Sequence, residues 1–238
     1  MKIVVEADKL SKLLKLGDIS KEVDNVPIVF NDDCAMIKDY RLQVSAIYSV
    51  FNSSYFFEYE GDGETVFFSR RTIDVLKSFT GQTITVRNDD THLYIDGEGE
   101  RQKYKVPLFN IELPEFPINM KETDEGFVPE NMNETVGMKI NVEEVLSLPS
   151  SDTYTFQVDG EKAKVLAFDE GVFELTLSTM WKKQGEIKVS FDGEYLKNIL
   201  SNFDGEIYLA LLPRAMVVTK KESDYTLTYL LSSIVDTE

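Results

Sequence analysis

The chain has 238 residues, enough for one large domain or two of about 120, and its 42% apolar share supports a buried core. Its 42 acidic residues outnumber 25 basic ones, and the formal charge of −17 repels bulk polyanions unless the few cations are gathered on one surface. A single cysteine, Cys34, and a single histidine, His92, exclude an intramolecular disulfide and any zinc site of several Cys or His ligands. The same scarcity fits a reducing compartment, cytoplasmic or nuclear. The N-terminal stretch MKIVVEADKLSKLL is charged throughout, so no signal-peptide core is expected. No run approaches the roughly 20 apolar residues of a membrane span.

In chain order, the first predicted helix covers Ala7–Leu16. Leu10, Leu13, Leu14 and Leu16 share one face, and Asp8, Ser11, Lys12 and Lys15 take the other. A second helix is predicted over residues 71–79, with Ile73, Val75, Leu76 and Phe79 inward and Lys77 outward. VRNDDTHLYIDG reads as two strands around an Asn-Asp-Asp turn. A third, weaker helix is predicted over residues 142–148, followed by strands such as VFELTLST. The fourth covers residues 193–202, with Tyr195, Leu196, Ile199 and Leu200 inward and Lys197, Asn198 and Ser201 outward. EIYLALL and VVTKKESDYTLTYLL close the chain as strands.

These segments recur in the same order in the two halves. Met1-Lys2-Ile3 and Met138-Lys139-Ile140 each precede a short helix, and residues 66–69 and 187–190 each precede another. Leu76-Lys77 and Leu196-Lys197 occupy equivalent places about 120 residues apart, as do the closing strands at 104–111 and 227–234. The pattern predicts a tandem duplication: residues 1–111, a connector over 112–134, and residues 135–238. The connector is acidic, holds three of the seven prolines and shows no sustained periodicity. It reads as an exposed link whose Phe116, Ile118, Met120 and Phe127 dock on their own domain or receive a partner.

Each half is therefore expected to be α+β, with two short amphipathic helices on antiparallel sheet. The outer helix faces carry Lys9, Lys12, Lys15, Arg71 and Lys77 in the first half and Lys197 in the second, with Lys139 and Lys188 nearby. A segregated minority of cations is what an acidic protein needs to tolerate a polyanion. A solvated lysine face is the plainer reading of the same residues. Chemistry finds little support: HExxH, GxSxG, GxGxxG and Walker A patterns are all missing, Asp89-Asp90 fits turn chemistry, and Asp96 to Glu100 lacks calcium-loop spacing. No catalytic residue, metal site or cofactor is expected.

The order of elements resembles the DNA sliding clamps, the proliferating cell nuclear antigen family of archaeal and eukaryotic type. FDGEYLKNIL is similar to the family's second-domain helix with its aromatic-x-x-x-Tyr-Leu pattern. Phe56-Phe57-Glu58-Tyr59 resembles the aromatic-x-x-Tyr ending a first-domain strand, and TLTYLLSSIVDTE the last strand and acidic tail. The resemblance implies two tandem clamp domains per subunit and three subunits joined head to tail in a ring that encircles duplex DNA without sequence preference. The ring would be a processivity factor that tethers polymerase, clamp loader, nuclease and ligase through short peptide motifs. Sheet edges would form the subunit joint, one at residues 104–109 with Tyr104, Val106 and Leu108, the other at 172–178 with Val172, Glu174 and Thr176. The partner-peptide pocket would be walled by Val44, Ala46, Phe116, Ile118, Pro213, Leu231 and Ser232.

The chain departs from the family pattern in places. Ile37-Lys38-Asp39-Tyr40-Arg41 replaces the family's Met-Asp-Pro/Ser-Ser-His segment, Ser232-Ser233 replaces Ala-Pro, and the connector runs longer. The third helix carries acids and no cation. Three other readings stand beside the plain clamp: a clamp-fold subunit of a heteromeric ring, an acidic β-rich hydrolase using a carboxylate pair, and a β-rich structural protein without DNA involvement.

Overall fold

Period-two alternation becomes strand over most of the chain, and the four apolar stretches that break it become helices. The computed structural model describes residues 1–17, 25–41, 44–100, 102–108, 116, 118–130, 135–168 and 171–234. The first half opens with β1 (Lys2–Glu6) and helix α1 (Ala7–Leu16). Five strands follow: β2 (Asn25–Phe30), β3 (Cys34–Arg41), β4 (Ser45–Asn52), β5 (Glu58–Glu60) and β6 (Glu64–Ser69). Helix α2 (Arg70–Leu76) tightens into a 3₁₀ turn over Lys77–Phe79, and β7 (Thr83–Asn88), β8 (His92–Asp96) and β9 (Lys103–Pro107) complete the half. Two further strands, β10 (Met120–Thr123) and β11 (Gly126–Pro129), come next. The second half begins with β12 (Val136–Asn141), α3 (Val142–Leu146), β13 (Thr153–Gly160) and β14 (Lys162–Phe168). It continues with β15 (Val172–Thr176), β16 (Thr179–Lys183), β17 (Gly185–Asp192), α4 (Gly193–Leu200), β18 (Glu206–Leu212), β19 (Ala215–Lys221) and β20 (Tyr225–Ser232).

Strand pairing repeats as well as element order. In the first half the order β5-β1-β7-β8-β9 is matched in the second by β16-β12-β18-β19-β20. The run β6-β2-β3-β4 is likewise matched by β17-β13-β14-β15. Registers agree in kind: Ile3 faces Val86 and Val5 faces Ile84, where Met138 faces Leu209 and Ile140 faces Ile207. All these side chains are buried, so a one-residue slip in either ladder would turn its apolar set to water. The duplication is therefore one of topology, carried by strand pairing and not by residue identity.

Each helix buries its apolar stripe. Leu10, Leu13 and Leu14 of α1 and Leu196, Ile199 and Leu200 of α4 are almost fully enclosed, and α1 lies against α2 as α3 lies against α4. The N-termini of the second-half helices are capped: Asn141 Oδ1 accepts the Glu143 N–H at 3.0 Å, and Asp192 Oδ1 accepts the Tyr195 N–H at 3.0 Å. The predicted second, third and fourth helices run past the observed ones at their C-terminal ends. Lys77–Phe79 is 3₁₀, and α3 stops at Leu146 just before Pro149.

The chain forms two compact units. One comprises Met1–Asp39, Tyr48–Phe116 and Glu222–Tyr225; the other comprises Tyr40–Ile47, Pro117–Lys221 and Thr226–Glu238. Within the second, the expected irregular connector contains the β10–β11 hairpin, with Met120 facing Pro129 and Thr123 facing Gly126. Its acidic composition hid the strands. Gly126 is required twice over: its φ of +132° disfavours any side chain, and a Cβ there would collide with Oγ1 of Thr219 on β19. The hairpin is also tied down by charge. Glu125 pairs with Lys139 at 2.9 Å and with Lys182 at 2.7 Å, and Glu122 pairs with Lys221 at 2.7 Å.

Candidate functional site

Three strands build an apolar depression of the second unit. Period two sends Leu212 of β18, Ala215 and Val217 of β19, and Leu230 and Ser232 of β20 to one face, where Leu212 is opposite Ala215 and Ala215 opposite Ser232. Leu209, Leu211, Met216, Val218 and Leu231 alternate with them and are buried. At the end of this face lies a cavity of about 460 Å³, a volume suited to a few large side chains. Its walls bring together Val44, Ala46, Ile118, Pro213, Leu231 and Ser232 of the seven predicted pocket residues. Phe116 is not among the lining residues; its ring lies 5.6 Å from that of Tyr48, an aromatic contact that draws it elsewhere. Sequence reading missed Tyr40, Ser45, Leu212, Arg214, Ala215 and Leu230. The alternation Tyr208, Ala210, Leu212 was the available signal for the face. Among the described residues Arg214 is the only charged one in the lining, and its guanidinium has no partner among them.

The predicted polyanion-facing cations divide into two groups. On α1 and at the start of α2, Lys12, Lys15 and Arg71 are exposed and unpaired among the described residues. Lys9 folds back instead: its Nζ is 4.8 Å from the Tyr55 ring centre and 3.5 Å from the Tyr55 carbonyl. Lys77 is exposed but bonded to Asp74 at 2.6 Å. In the second half the helix phase misleads. Lys197 is half-buried and donates to the carbonyls of Val145, Leu146 and Leu148 at 3.2, 2.8 and 2.8 Å, closing the C-terminus of α3. Burial pulls its pKa below the ordinary lysine value. Lys139 lies on β12, held between Glu125 and Glu206; the bond to Glu125 raises its pKa against the effect of burial. Lys188 is exposed on β17. Among the described residues, Lys188 alone of the second-half candidates is thus an exposed cation without a partner, while Glu143, Glu144 and Glu194 occupy α3 and α4.

No protein-family model matches the sequence, and no curated relative does. Solved structures do match. The chain aligns with PCNA from Thermococcus kodakaraensis at a TM-score of 0.77 and 18% identity, over 98% of this chain and 99% of that one. It aligns with A. fulgidus PCNA, solved with the C-terminal region of FEN-1 bound, at 0.78 and 16%, over 100% and 99%. A PCNA2–PCNA3 complex from Sulfolobus tokodaii gives 0.76 and 18%, over 98% and 99%. The chain has the sliding-clamp fold.

In this clamp fold the two strands expected to serve as subunit joints are both terminal in their sheets. Strand β9 follows β8, with Tyr104, Val106 and Leu108 partly exposed, and β15 ends the run from β17. Around β15, Phe168, Val172 and Phe173 are 43%, 61% and 49% exposed, an apolar edge that water does not favour. Glu174 is bonded to Lys164 of β14 at 2.6 Å, and Thr176 is exposed. The clamp fold carries no helix long and apolar enough to cross a membrane among the described residues.

Proposed function

We propose that this protein is a ring-forming DNA sliding clamp, a non-catalytic processivity factor that encircles duplex DNA and tethers replication and repair enzymes. The observation that carries this reading is the clamp fold over practically the whole length of this chain and of its structural neighbours. Supporting it are two strands that are terminal in their sheets among the described residues, β9 and β15, of the kind that joins identical subunits head to tail. Lys12, Lys15 and Arg71 supply the weak, sequence-independent phosphate attraction that a mobile ring tolerates. The cavity at the end of β18–β20 is the docking point for apolar and aromatic anchors of partner peptides from polymerase, clamp loader, nuclease and ligase.

Topological linkage tests the reading. The purified protein should sediment as a trimer and, loaded on nicked circular DNA, should remain bound in high salt until the circle is cut. Release from circular and linear DNA at the same rate would refute encirclement.

One observation favours a mixed ring. The second-half helices present almost no free cation, so one type of subunit would line only part of the hole with positive charge. The PCNA2–PCNA3 complex of Sulfolobus tokodaii pairs two different clamp chains. A persistent monomer that trimerises only with a second clamp chain would select this version.

A further inference from the structure

Apolar anchors entering the cavity at the end of β18–β20 would use its walls, yet Arg214 on its rim would take no part. Among the described lining residues Arg214 alone is charged, and the others offer apolar surface with the hydroxyls of Tyr40, Ser45 and Ser232. No acid lines the cavity among the described residues, in a chain whose 42 acidic residues outnumber 25 basic ones. Several lysines of the same unit are taken up by neighbours: Lys139 and Lys182 by Glu125, Lys221 by Glu122 and Lys164 by Glu174. Arg214 has no such partner among the described residues.

The local backbone explains how this side chain is held at the rim. Arg214 follows Pro213 in the tight turn between β18 and β19, where Leu212 faces Ala215. The Arg214 carbonyl accepts the Ser233 N–H at 2.9 Å, and the Val44 carbonyl accepts the neighbouring Ser232 N–H at 2.7 Å. An exposed guanidinium is thus carried on a turn that is tied to the end of β20, beside the buried walls Leu230 and Leu231. An occupant of the cavity would displace water from the side of the guanidinium that faces it. Left unpaired, the cation would then lose solvation, which costs free energy. A carboxylate on the occupant would offset that cost, because a charge pair strengthens as the local dielectric falls and the guanidinium fork fits a carboxylate. The net charge of −17 works the other way and attracts cationic peptides from a distance. At physiological salt the screening length is about 8 Å, so at contact the guanidinium outweighs distant acids.

We propose that Arg214 makes the cavity selective for apolar and aromatic peptides that carry a carboxylate beside their anchors. This inference rests on the partner-peptide reading of the cavity. It adds a choice among such peptides that uncharged walls do not supply.

The test starts from a short synthetic peptide with aliphatic and aromatic anchors on a neutral frame, and Glu or Lys replaces each remaining position in turn. Binding to the full-length wild-type protein and to its Arg214→Gln and Arg214→Glu variants is measured by fluorescence anisotropy at physiological salt. At one position or two adjacent ones, Glu should tighten binding to the wild type about fivefold and Lys should weaken it by a similar factor, the size of a partly exposed charge contact. Arg214→Gln should flatten both effects, and Arg214→Glu should reverse them at the same position. The neutral peptide should bind all three proteins within about twofold, because neither substitution removes a backbone bond of the turn. A scan with no Glu preference, or a preference that survives Arg214→Glu, overturns the role of Arg214 and leaves the cavity as a docking point for uncharged anchors. Failure of every peptide to bind the folded wild-type protein overturns the partner-peptide reading as well.

Discussion

At the scale of single residues, helical phase places Lys197 among outward cations, yet its ammonium ends on the carbonyls of Val145 and Leu146 in α3 and of Leu148 just beyond it, and lies 5.3 Å from the Tyr154 ring centre. Charge-assisted bonds to the carbonyls at its C-terminal end hold a five-residue helix that could not persist alone. Lys197→Met, which keeps the aliphatic stem, should lower unfolding free energy by about 1–3 kcal/mol in a urea titration. It should leave the salt dependence of DNA association unchanged. Asp89 shows a comparable concentration of bonds at the β7–β8 turn. Its carboxylate accepts from the Tyr94 hydroxyl, the Thr91 N–H and hydroxyl, and the His92 N–H, which together hold its pKa far below the ordinary 3.8. Because the folded pKa is the lower one, this turn contributes stability in full above the unfolded value and loses it as pH falls below about 3.8. Asp89→Asn should therefore melt lower than wild type near pH 6 and approach it near pH 2, measured as Tm against pH.

At the scale of elements, the strand pattern was readable because alternation and burial agree: Val86, Leu93 and Ile95 face the interior at the predicted spacing. The β10–β11 hairpin escaped notice because its strands carry Lys121, Glu122 and Thr123, where tertiary ion pairs and not an apolar face hold them. Phe116 was assigned to the peptide cavity with its neighbour Ile118, but only Ile118 lines it. The sequence around these two residues offers no period by which such a choice is made. The β15 edge was expected from the resemblance to sliding clamps, and its exposed Phe173 and Val172 now give it a chemical reason to find a partner strand. Phe173→Glu with Val172→Lys should weaken self-association by at least about tenfold in sedimentation velocity, since charges on an edge strand oppose pairing. Tyr104→Ala on β9 should act in the same direction. Unaltered association in both variants would remove these edges from the joint.

For the whole molecule, a net charge of −17 sets the terms on which it meets DNA. Lys12, Lys15 and Arg71 are the exposed helix cations without a described partner, whereas Lys9, Lys77, Lys139 and Lys197 are engaged within the protein. Phosphate attraction should thus come mainly from the first-half helices. Lys12→Glu with Arg71→Glu should reduce clamp-stimulated processive synthesis on a primed circle by at least about tenfold at physiological salt, with sedimentation unchanged. Reversing Lys188 should have a smaller effect, and an equal one would mean that both halves hold the duplex.

The repeated order of strands and short helices followed from local patterns, because alternation of period two and amphipathic spacing near 3.6 are written in neighbouring residues. Those patterns also placed Lys12 and Lys15 on a solvent face of α1. Which cations stay free, and that a charged segment pairs into β10–β11, were settled only by packing. Each depends on residues far apart in the chain, such as Glu125 with Lys182 or Gly126 with Thr219, and no local period records such meetings.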